Sequence, residues 1–474
     1  FSIIVSLNQD GWPLDMLSEE LYNVETSPVV IDSNDDGEME IYFGDYSGNV
    51  YAVNADGEEI VNALFPFNTG DQIWGSPAAA DIDNDGNIEI IVTSKSKHLF
   101  VLDPVNQTVD LDYYAVQFLM GTPVIANIDV DNDLEIIVGG FSSPAKIFAI
   151  NADGSDVPGF PFELGEKMIK GLAVADFNDN GKVDIVAGTE NYNIYLINDD
   201  ATIAPGFPYL TGNKIRSAPA IAETESGKLI LSGSRDNNFY GLNADGSLRF
   251  TIPTGDYVVN SPAFMETESG LAIFFGSLDG NLYGIDVDGN PLAGWPISHS
   301  GSITGSPVIA DLNGDGQAEI VCGTQSAEVV AYNLDGTSFS YFPIFNDFGF
   351  AGTPTITDTD GDLDLEILIG STGNLANIDF KDEGNSDDYW SLFHGNLKRT
   401  GYYTSEPIND CSGCSLGDVN CDGTIDVLDI VRAVYIIMND PPDADECERI
   451  RADFNEDGVL DVLDLVMLVN EIMN

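Results

Sequence analysis

The chain has 474 residues, of which 79 are Asp or Glu and 17 are Lys or Arg, giving a formal charge of −62. It offers no cationic face for nucleic-acid phosphates or anionic lipid, and with 43% hydrophobic residues, 48 Gly and 22 Pro it reads as globular and turn-rich rather than disordered. No apolar run approaches the roughly 18 to 20 residues that span a bilayer, so membrane insertion is not expected.

The first sixteen residues look like the end of a unit whose beginning is missing. Residues 7–13, Leu-Asn-Gln-Asp-Gly-Trp-Pro, match 285–289 followed by Gly294-Trp295-Pro296. Residues 27–404 explain the match, because one pattern recurs through them. Its copies open at Ser27-Pro28, Ser76-Pro77, Thr122-Pro123, Gly171-Leu172, Ala218-Pro219, Ser261-Pro262, Ser306-Pro307 and Thr353-Pro354, spaced 43 to 49 residues apart. In the seventh copy an apolar run (307–310) leads to an acidic loop (311–319) and a second apolar run ending in Gly (320–323). A third, alternating run (328–332), an Asn-x-Asp-Gly turn (333–336) and a fourth segment ending Phe342-Pro343 complete it. Four short strands joined by Gly and Asp turns make one blade of a β-propeller. The fold expected for 1–404 is therefore all-β, an eight-bladed propeller of four-stranded blades; a solenoid of this period would show helical patterning. Residues 1–16 should close the ring by pairing into the eighth blade, removing free sheet edges.

The acidic loop of the second copy, Asp81-x-Asp83-x-Asp85-Gly86-x-x-Glu89, puts oxygen donors at positions 1, 3, 5 and 9, with Gly where the chain turns sharply. Hard oxygen donors in a flexible loop suit Ca²⁺, whereas Mg²⁺ retains water and demands octahedral geometry. The spacing recurs as Asp32, Asn34, Asp36 and Glu40, then as Asn127, Asp129, Asp131 and Glu135, and again as Asp176, Asn178, Asn180 and Asp184. It returns as Asp311, Asn313, Asp315 and Glu319, and as Asp358, Asp360, Asp362 and Glu366, making six predicted calcium sites. The fifth and sixth copies, with Glu223-Thr-Glu225-Ser-Gly227 and Glu266-Thr-Glu268-Ser-Gly270, are shorter and lack the distal acid, so no ion is expected there. A lone Asp-rich loop is as readily an ordinary turn; recurrence at one place in every unit argues for metal.

On this period and these loops, residues 1–404 resemble the FG-GAP/VCBS family of β-propellers, also found in integrin α-subunits. The resemblance implies calcium between the first two strands of a blade, serving rigidity rather than chemistry. This chain departs from it in two lost loops and in eight blades where integrin-type rings have seven. The stretch Trp390-Ser-Leu-Phe-His394-Gly-Asn-Leu-Lys-Arg-Thr-Gly401 resembles the closing segment of secreted bacterial relatives.

A polar linker, 405–415, precedes a change to helical patterning. Residues 418–429 offer Asp418, Asn420, Asp422, Thr424, Asp426 and Asp429, and 453–464 offer Asp453, Asn455, Asp457, Val459 (through its backbone), Asp461 and Asp464. These are two twelve-residue EF-hand-like loops with Asp as the last ligand. Each leads into an amphipathic helix, with Ile430, Val431, Val434 and Ile437 on the first and Leu465, Val466, Leu468, Val469 and Ile472 on the second. Duplicated loop-helix units of this size resemble the type I dockerin family over 416–474, a small α-helical domain. That resemblance implies folding by calcium, two ions here, and docking onto a cohesin through a helical face and late-loop residues. Those late-loop positions are Val427, Leu428, Val462 and Leu463, apolar in both copies. They either pack inward or offer a pseudo-twofold adhesive surface. Cys411, Cys414, Cys421 and Cys447 suggest up to two disulfides, with free thiols or zinc as alternatives, and Cys322 stands apart.

Eight Ca²⁺ would take the charge from −62 to −46. Calcium is abundant outside cells, so a secreted, extracellular or cell-surface protein is expected; with Phe1 first, any signal peptide is expected to be already removed or never included. His98, His299 and His394 are scattered, and no nucleophile elbow, phosphate loop or dinucleotide fingerprint occurs. The favoured reading is a non-catalytic calcium-stabilised scaffold or adhesion protein, assembled through its C-terminal module onto a cohesin-like module or head-to-tail onto another copy of itself. Two alternatives remain. A calcium-dependent polysaccharide lyase would draw on His299, Lys170, Lys214 and Arg216, and a lectin for an extracellular glycan on Trp74, Trp295 and Tyr257, although Trp295 stands at a recurring blade position, with Trp12, Phe160 and Phe207, that is expected in the core.

Overall fold

The computed structural model describes residues 23–404 apart from positions 35, 130, 132 and 388, together with 9, 11–15, 419, 427–439, 452, 465, 467 and 468. The chain divides into two compact units, Phe1–Thr404 and Ser405–Asn474.

The first unit is an eight-bladed propeller, each blade an antiparallel sheet running inward to outward in chain order. Burial explains the strand sequences. The innermost strands are three residues long and rich in Ala, Val and Ile, as in Ala78–Ala80, Ala173–Ala175 and Val308–Ala310, because eight sheets converge on the axis. Second strands such as Glu89–Thr93 and Glu319–Gly323 are buried at every position, being covered on both faces by neighbouring blades. Most outermost strands shrink to two residues at the rim, as in Phe162–Glu163. The fourth segment differs from its sequence reading. Its strand follows the aromatic-Pro pair rather than ending on it, Ile344–Phe345 coming after Phe342-Pro343, since a proline has no N–H to give the ladder.

Blade 8 takes three strands from the end of the unit, Thr355–Thr357, Asp364–Gly370 and Asn374–Glu383, and its fourth from the start. Leu14–Asp15 runs antiparallel to Asn374 and Leu375, with Trp12 buried beside it and donating from Nε1 to the Ala55 carbonyl at 2.7 Å.

Residues 390–403 lie along the free inner edges of the blades. The carbonyls of Trp390, Ser391, Leu397, Lys398, Thr400 and Gly401 accept backbone N–H groups of Ile309, Ile356, Ala79, Ile125, Val174 and Ile221, all in innermost strands. Tyr402–Tyr403 then pairs parallel with Ile221 and Ala222, adding a fifth strand to blade 5. Blade 6 packs Phe264 edge-on against Trp390 at 4.9 Å, and blade 1 is reached by the fully buried Arg399. Its guanidinium donates to the carbonyls of Ser27, Pro28, Pro77 and Phe393 at 2.8 to 3.2 Å. One segment thus touches all eight blades and fills the axis.

In the second unit, the helix Val427–Asn439 packs Ala433 and Ile436 with Val419, Ala452 and Leu468, and Ile430 and Leu465 flank them. This corrects the expected face in part: Val431 is 60% exposed, the fully buried positions are Ala433 and Ile436, and Ile430, Val434 and Ile437 are half-buried. The helix begins at Val427, so Val427, Leu428 and Asp429, the last three positions of the 418–429 stretch, form its first turn.

Candidate metal centres and partner surface

Each of the six acidic loops links the first and second strands of its blade, and one bond recurs in all of them. The backbone N–H at loop position 2 donates to the distal acid: Ser33 to Glu40, Ile82 to Glu89, Ile128 to Glu135 and Leu312 to Glu319 at 2.9 Å, Phe177 to Asp184 at 3.0 Å, and Thr359 to Glu366 at 2.5 Å. The acid opens the second strand in blades 1, 2, 3, 4 and 7 and is the third residue of Asp364–Gly370 in blade 8, buried under the loop, and that bond commits one of its two oxygens. Loop amides orient the other carboxylates. Asp81 accepts from Asp85 and Gly86 at 3.2 and 3.1 Å, and Asp311 accepts from Asp315 and Gly316 at 3.2 and 2.7 Å. Gly86 has φ +95°, and a Cβ there would meet nothing within 4 Å, so conformation rather than space calls for glycine. In blade 8 Leu363 occupies the same place at φ 75°.

The loops differ in how the second oxygen of the distal acid is treated. In blades 2, 3 and 8 the second oxygen of the distal acid, Oε1 of Glu89, Glu135 and Glu366, is buried without a partner. In these three blades acid oxygens converge within 4.8 Å of one another, as Asp81, Asp83 and Asp85, as Asp129, Asp131 and Glu135, and as Asp358, Asp360 and Glu366. An orphaned buried carboxylate oxygen beside further carboxylates is a donor set that fits a hard cation. In blades 1 and 4 the second oxygen is taken: Asn34 donates to Glu40 Oε1 at 2.9 Å, and the Asp199 backbone N–H donates to Asp184 Oδ1 at 3.0 Å, with Asn178 at 3.3 Å from the other oxygen, Oδ2. In blade 7 Asn313 instead turns toward Asp315 at 3.4 Å. Burial first, then the neighbouring loop aspartates, push Glu89 and Glu366 up to about 8 and Glu135 and Glu319 up to about 7.

The short loops of blades 5 and 6 are closed by their own residues. Thr224 and Thr267 hydroxyls donate to the carbonyls of Gly227 and Gly270 at 2.6 Å, and Glu223 pairs with Lys228 at 3.1 Å and accepts from Tyr402. Blade 2 contains acids that the loop spacing did not single out. Oxygens of Asp103 and Asp110, across the next hairpin, lie within 4.8 Å of Glu89. Asp103 stands where other repeats carry Asn54, Asn151, Asn198 and Asn333, an acid-for-amide change that repeat alignment could have flagged.

The residues named for a lyase or a lectin do not assemble into one site. Lys214 and Arg216 both pair with Glu190; burial raises that carboxyl, but its bonds to Arg216 and Lys214 outweigh this and hold it below the usual range. Lys170 and Trp74 line a cavity of only about 40 Å³ at the mouth of the plugged axis. His299 follows the outer strand of blade 6 and leans on Tyr332, His98 pairs with Asp112 in blade 2, and His394 lies in the axial segment. Trp295 is core, 6% exposed, as are Trp12 and Phe160 at the equivalent position, while Phe207 is partly buried. Trp74 stacks on Tyr46 at 5.4 Å, and Tyr257 lies under Arg235 at 4.4 Å.

On the first helix of the second unit, Val431 and Tyr435 are exposed one turn apart, and Arg432 stands over the Tyr435 ring at 5.6 Å. The side chains of Val427, Leu428 and Asp429 lie outside the described residues. So do Asp418, Asn420, Asp422, Thr424 and Asp426, all of 453–464 including Val462 and Leu463, and Cys411, Cys414, Cys421 and Cys447. Cys322 is a buried free thiol that burial pushes up to about 12.

Comparison with known proteins agrees with this architecture. The FG-GAP-like repeat family matches residues 32–92, and the dockerin type I domain family matches 416–473. The chain therefore carries an FG-GAP-like repeat within an eight-bladed propeller, followed by a C-terminal type I dockerin domain. No curated protein matches it. Among solved structures it is similar to the V. cholerae biofilm matrix protein Bap1, with a TM-score of 0.60 at 13% identity over 81% of this chain and 93% of that one. It is also similar to the computationally designed Ika8 protein, with a TM-score of 0.54 at 10% identity over 75% and 96%. BamB from Moraxella catarrhalis follows, with a TM-score of 0.52 at 14% identity over 76% and 98%. At such identities the likeness is one of fold. Type I dockerin domains bind calcium and dock onto cohesin modules, and proteins that carry them are typically extracellular or cell-surface. Among the described residues no helix is long and apolar enough to cross a membrane.

Proposed function

We propose that this is a secreted, non-catalytic scaffold or adhesion protein whose propeller is stiffened by calcium and whose dockerin domain attaches it to a cohesin or to the next copy of itself. The observation that carries the reading is the pairing of a dockerin domain with a ring whose axis is filled by 390–403. The orphaned oxygens of Glu89, Glu135 and Glu366 support calcium on the loop face. These loops would hold the ion through Asp81, Asp83, Asp85 and Glu89, and through the equivalent donors of the other five. The bound ion supplies counter-charge and ties the loop to the second strand. Contact between the dockerin domain of one copy and the propeller of the next is heterologous, and propagates into a filament unless it closes.

Negative-stain electron microscopy of the full chain in millimolar calcium, repeated after chelation, tests the assembly. Calcium-dependent fibres that vanish when the chain is cut after Thr404 support head-to-tail growth, and fibres that persist in the truncated chain refute it. Discrete discs captured by an immobilised cohesin support docking to a separate scaffold.

One observation favours a second reading, recognition of an anionic glycan. Seven of the 17 Lys and Arg fall between positions 95 and 235 in turns and connections on the face opposite the acidic loops. Three of them cover aromatic rings: Lys97 on Phe118, Lys167 on Phe141 and Arg235 on Tyr257, at 4.4 to 5.4 Å. Retention on a uronate polymer that weakens with salt and with Arg235→Ala supports this reading, and new unsaturated ends appearing in the polymer would turn it into lyase activity.

A further inference from the structure

Blade 8 carries carboxylates beyond its loop set. Asp364, at loop position 7, is 8% exposed, whereas the other loops place Glu38, Asn87, Asp133, Lys182 and Gln317 there, exposed or half-buried. Oxygens of Asp362, Asp364 and Glu366 lie within 4.8 Å of one another. Asp379, 2% exposed, stands directly opposite Glu366 in the ladder, where blade 1 pairs Glu40 with Asn54. The register shifts between Asp364 and Glu366, so Asp364 and Asp379 belong to a longer, irregular hairpin than any other blade has.

Asp364 Oδ1, Glu366 Oε1 and Asp379 Oδ1 are each buried without a hydrogen-bond partner. Glu366 Oε2 is taken by Thr359, and Asp379 Oδ2 by Lys381, so three oxygens stay uncommitted with one lysine nearby. Blade 2 offers the contrast. Asp103 is also buried near a distal Glu, but Asn106 fills both its oxygens at 2.8 and 2.6 Å. Orphaned buried acceptors of one sign call for a cation.

We propose that blade 8 binds a second Ca²⁺, held by Asp362, Asp364, Glu366 and Asp379, next to the loop ion and sharing Asp362 and Glu366 with it. This rests on the reading of the loops as calcium sites. The site would tie the second strand of blade 8 to the third, the strand that receives Leu14–Asp15. Gln9 also donates to Asp360, so both ions would sit at the seam where the two ends of the unit meet.

The test counts calcium bound to the full-length chain by native mass spectrometry. The D364N/D379N variant, which leaves the loop donors intact, is expected to lose one ion, and D358N/D360N, which leaves Asp364 and Asp379 intact, also one. An unchanged count in D364N/D379N beside a loss in D358N/D360N overturns the second site and leaves the loop site standing. Unchanged counts in both overturn the loop reading as well. Melting supplies an independent readout that needs no counting. D364N/D379N should melt above the native chain in chelator, where two mutually repelling acids are gone, and below it in calcium, where a ligand set is gone. A shift of the same sign in both conditions overturns the proposal.

Discussion

The distal acids show how one residue couples calcium to pH. Glu89 and Glu366 sit near 8, and Glu135 and Glu319 near 7, against an ordinary value of 4.5, because burial and then nearby aspartates disfavour their charge. With the folded value raised, their contribution to stability is fully present below 4.5 and is lost as pH rises through 7 to 8. In chelator the propeller should therefore melt at falling temperature between about pH 5 and 8. Calcium supplies the missing counter-charge and displaces the proton, so the gap between melting curves with and without calcium should widen over the same window. Parallel curves would remove the carboxylates from the metal sites. His394 has the opposite sign: burial pushes it down to about 4, so its contribution is present above 6.5 and lost as pH falls toward 4. Arg399 is a second decisive residue. Arg399→Met strips four buried carbonyls of their donor and should lower unfolding free energy by about 3 to 5 kcal/mol in saturating calcium, read from denaturant midpoints.

At the scale of the element, the seam of the ring rests on a two-residue strand and one anchored side chain. Leu14–Asp15 covers the edge of Asn374–Glu383, and Trp12 packs with Val24, Ile41, Phe43 and Val53. Trp12→Ala should cost about 3 to 5 kcal/mol, since it empties a core position and removes the bond to Ala55. Deleting residues 1–16 should lower the melting temperature further and promote association, because it exposes the longest strand of the propeller as an open edge. A deletion variant that stays monomeric with an unchanged melt would show that the pairing contributes nothing to closure.

For the whole molecule, charge is the governing quantity. A chain at −62 collects many of its carboxylates on one face of the ring and in the dockerin domain, so excess chelator should loosen both. The unit that carries the dockerin domain, Ser405–Asn474, is much the shorter of the two, so the dockerin domain should unfold first. Two calorimetric transitions in calcium, the lower one disappearing in chelator and on truncation after Thr404, are the expected result. A chelator-insensitive melt would contradict the calcium role in both units.

How much was readable before folding depends on whether the information is local. The 43-to-49-residue period, the four apolar runs per copy and the acidic spacing are properties of short windows, so blade number, loop positions and the C-terminal module could all be read from them. The path of 390–403 could not, because its partners are backbone edges of residues up to 372 positions away, and an edge has no side-chain signature. Asp379 and Asp103 escaped for a related reason: each lies in a different strand from the loop it approaches, and only the ladder brings it there. Val431 was misassigned because several apolar residues on one helix satisfy the same periodicity, and only packing against Val419 and Leu468 selects among them. The sequence by itself determined the repeat, the blade and the place of the acidic side chains in each loop, which are set by local chain geometry. Tertiary structure alone decided which oxygens are left unpaired, how the ring is closed and what fills its axis, because those follow from burial and from contacts between distant strands.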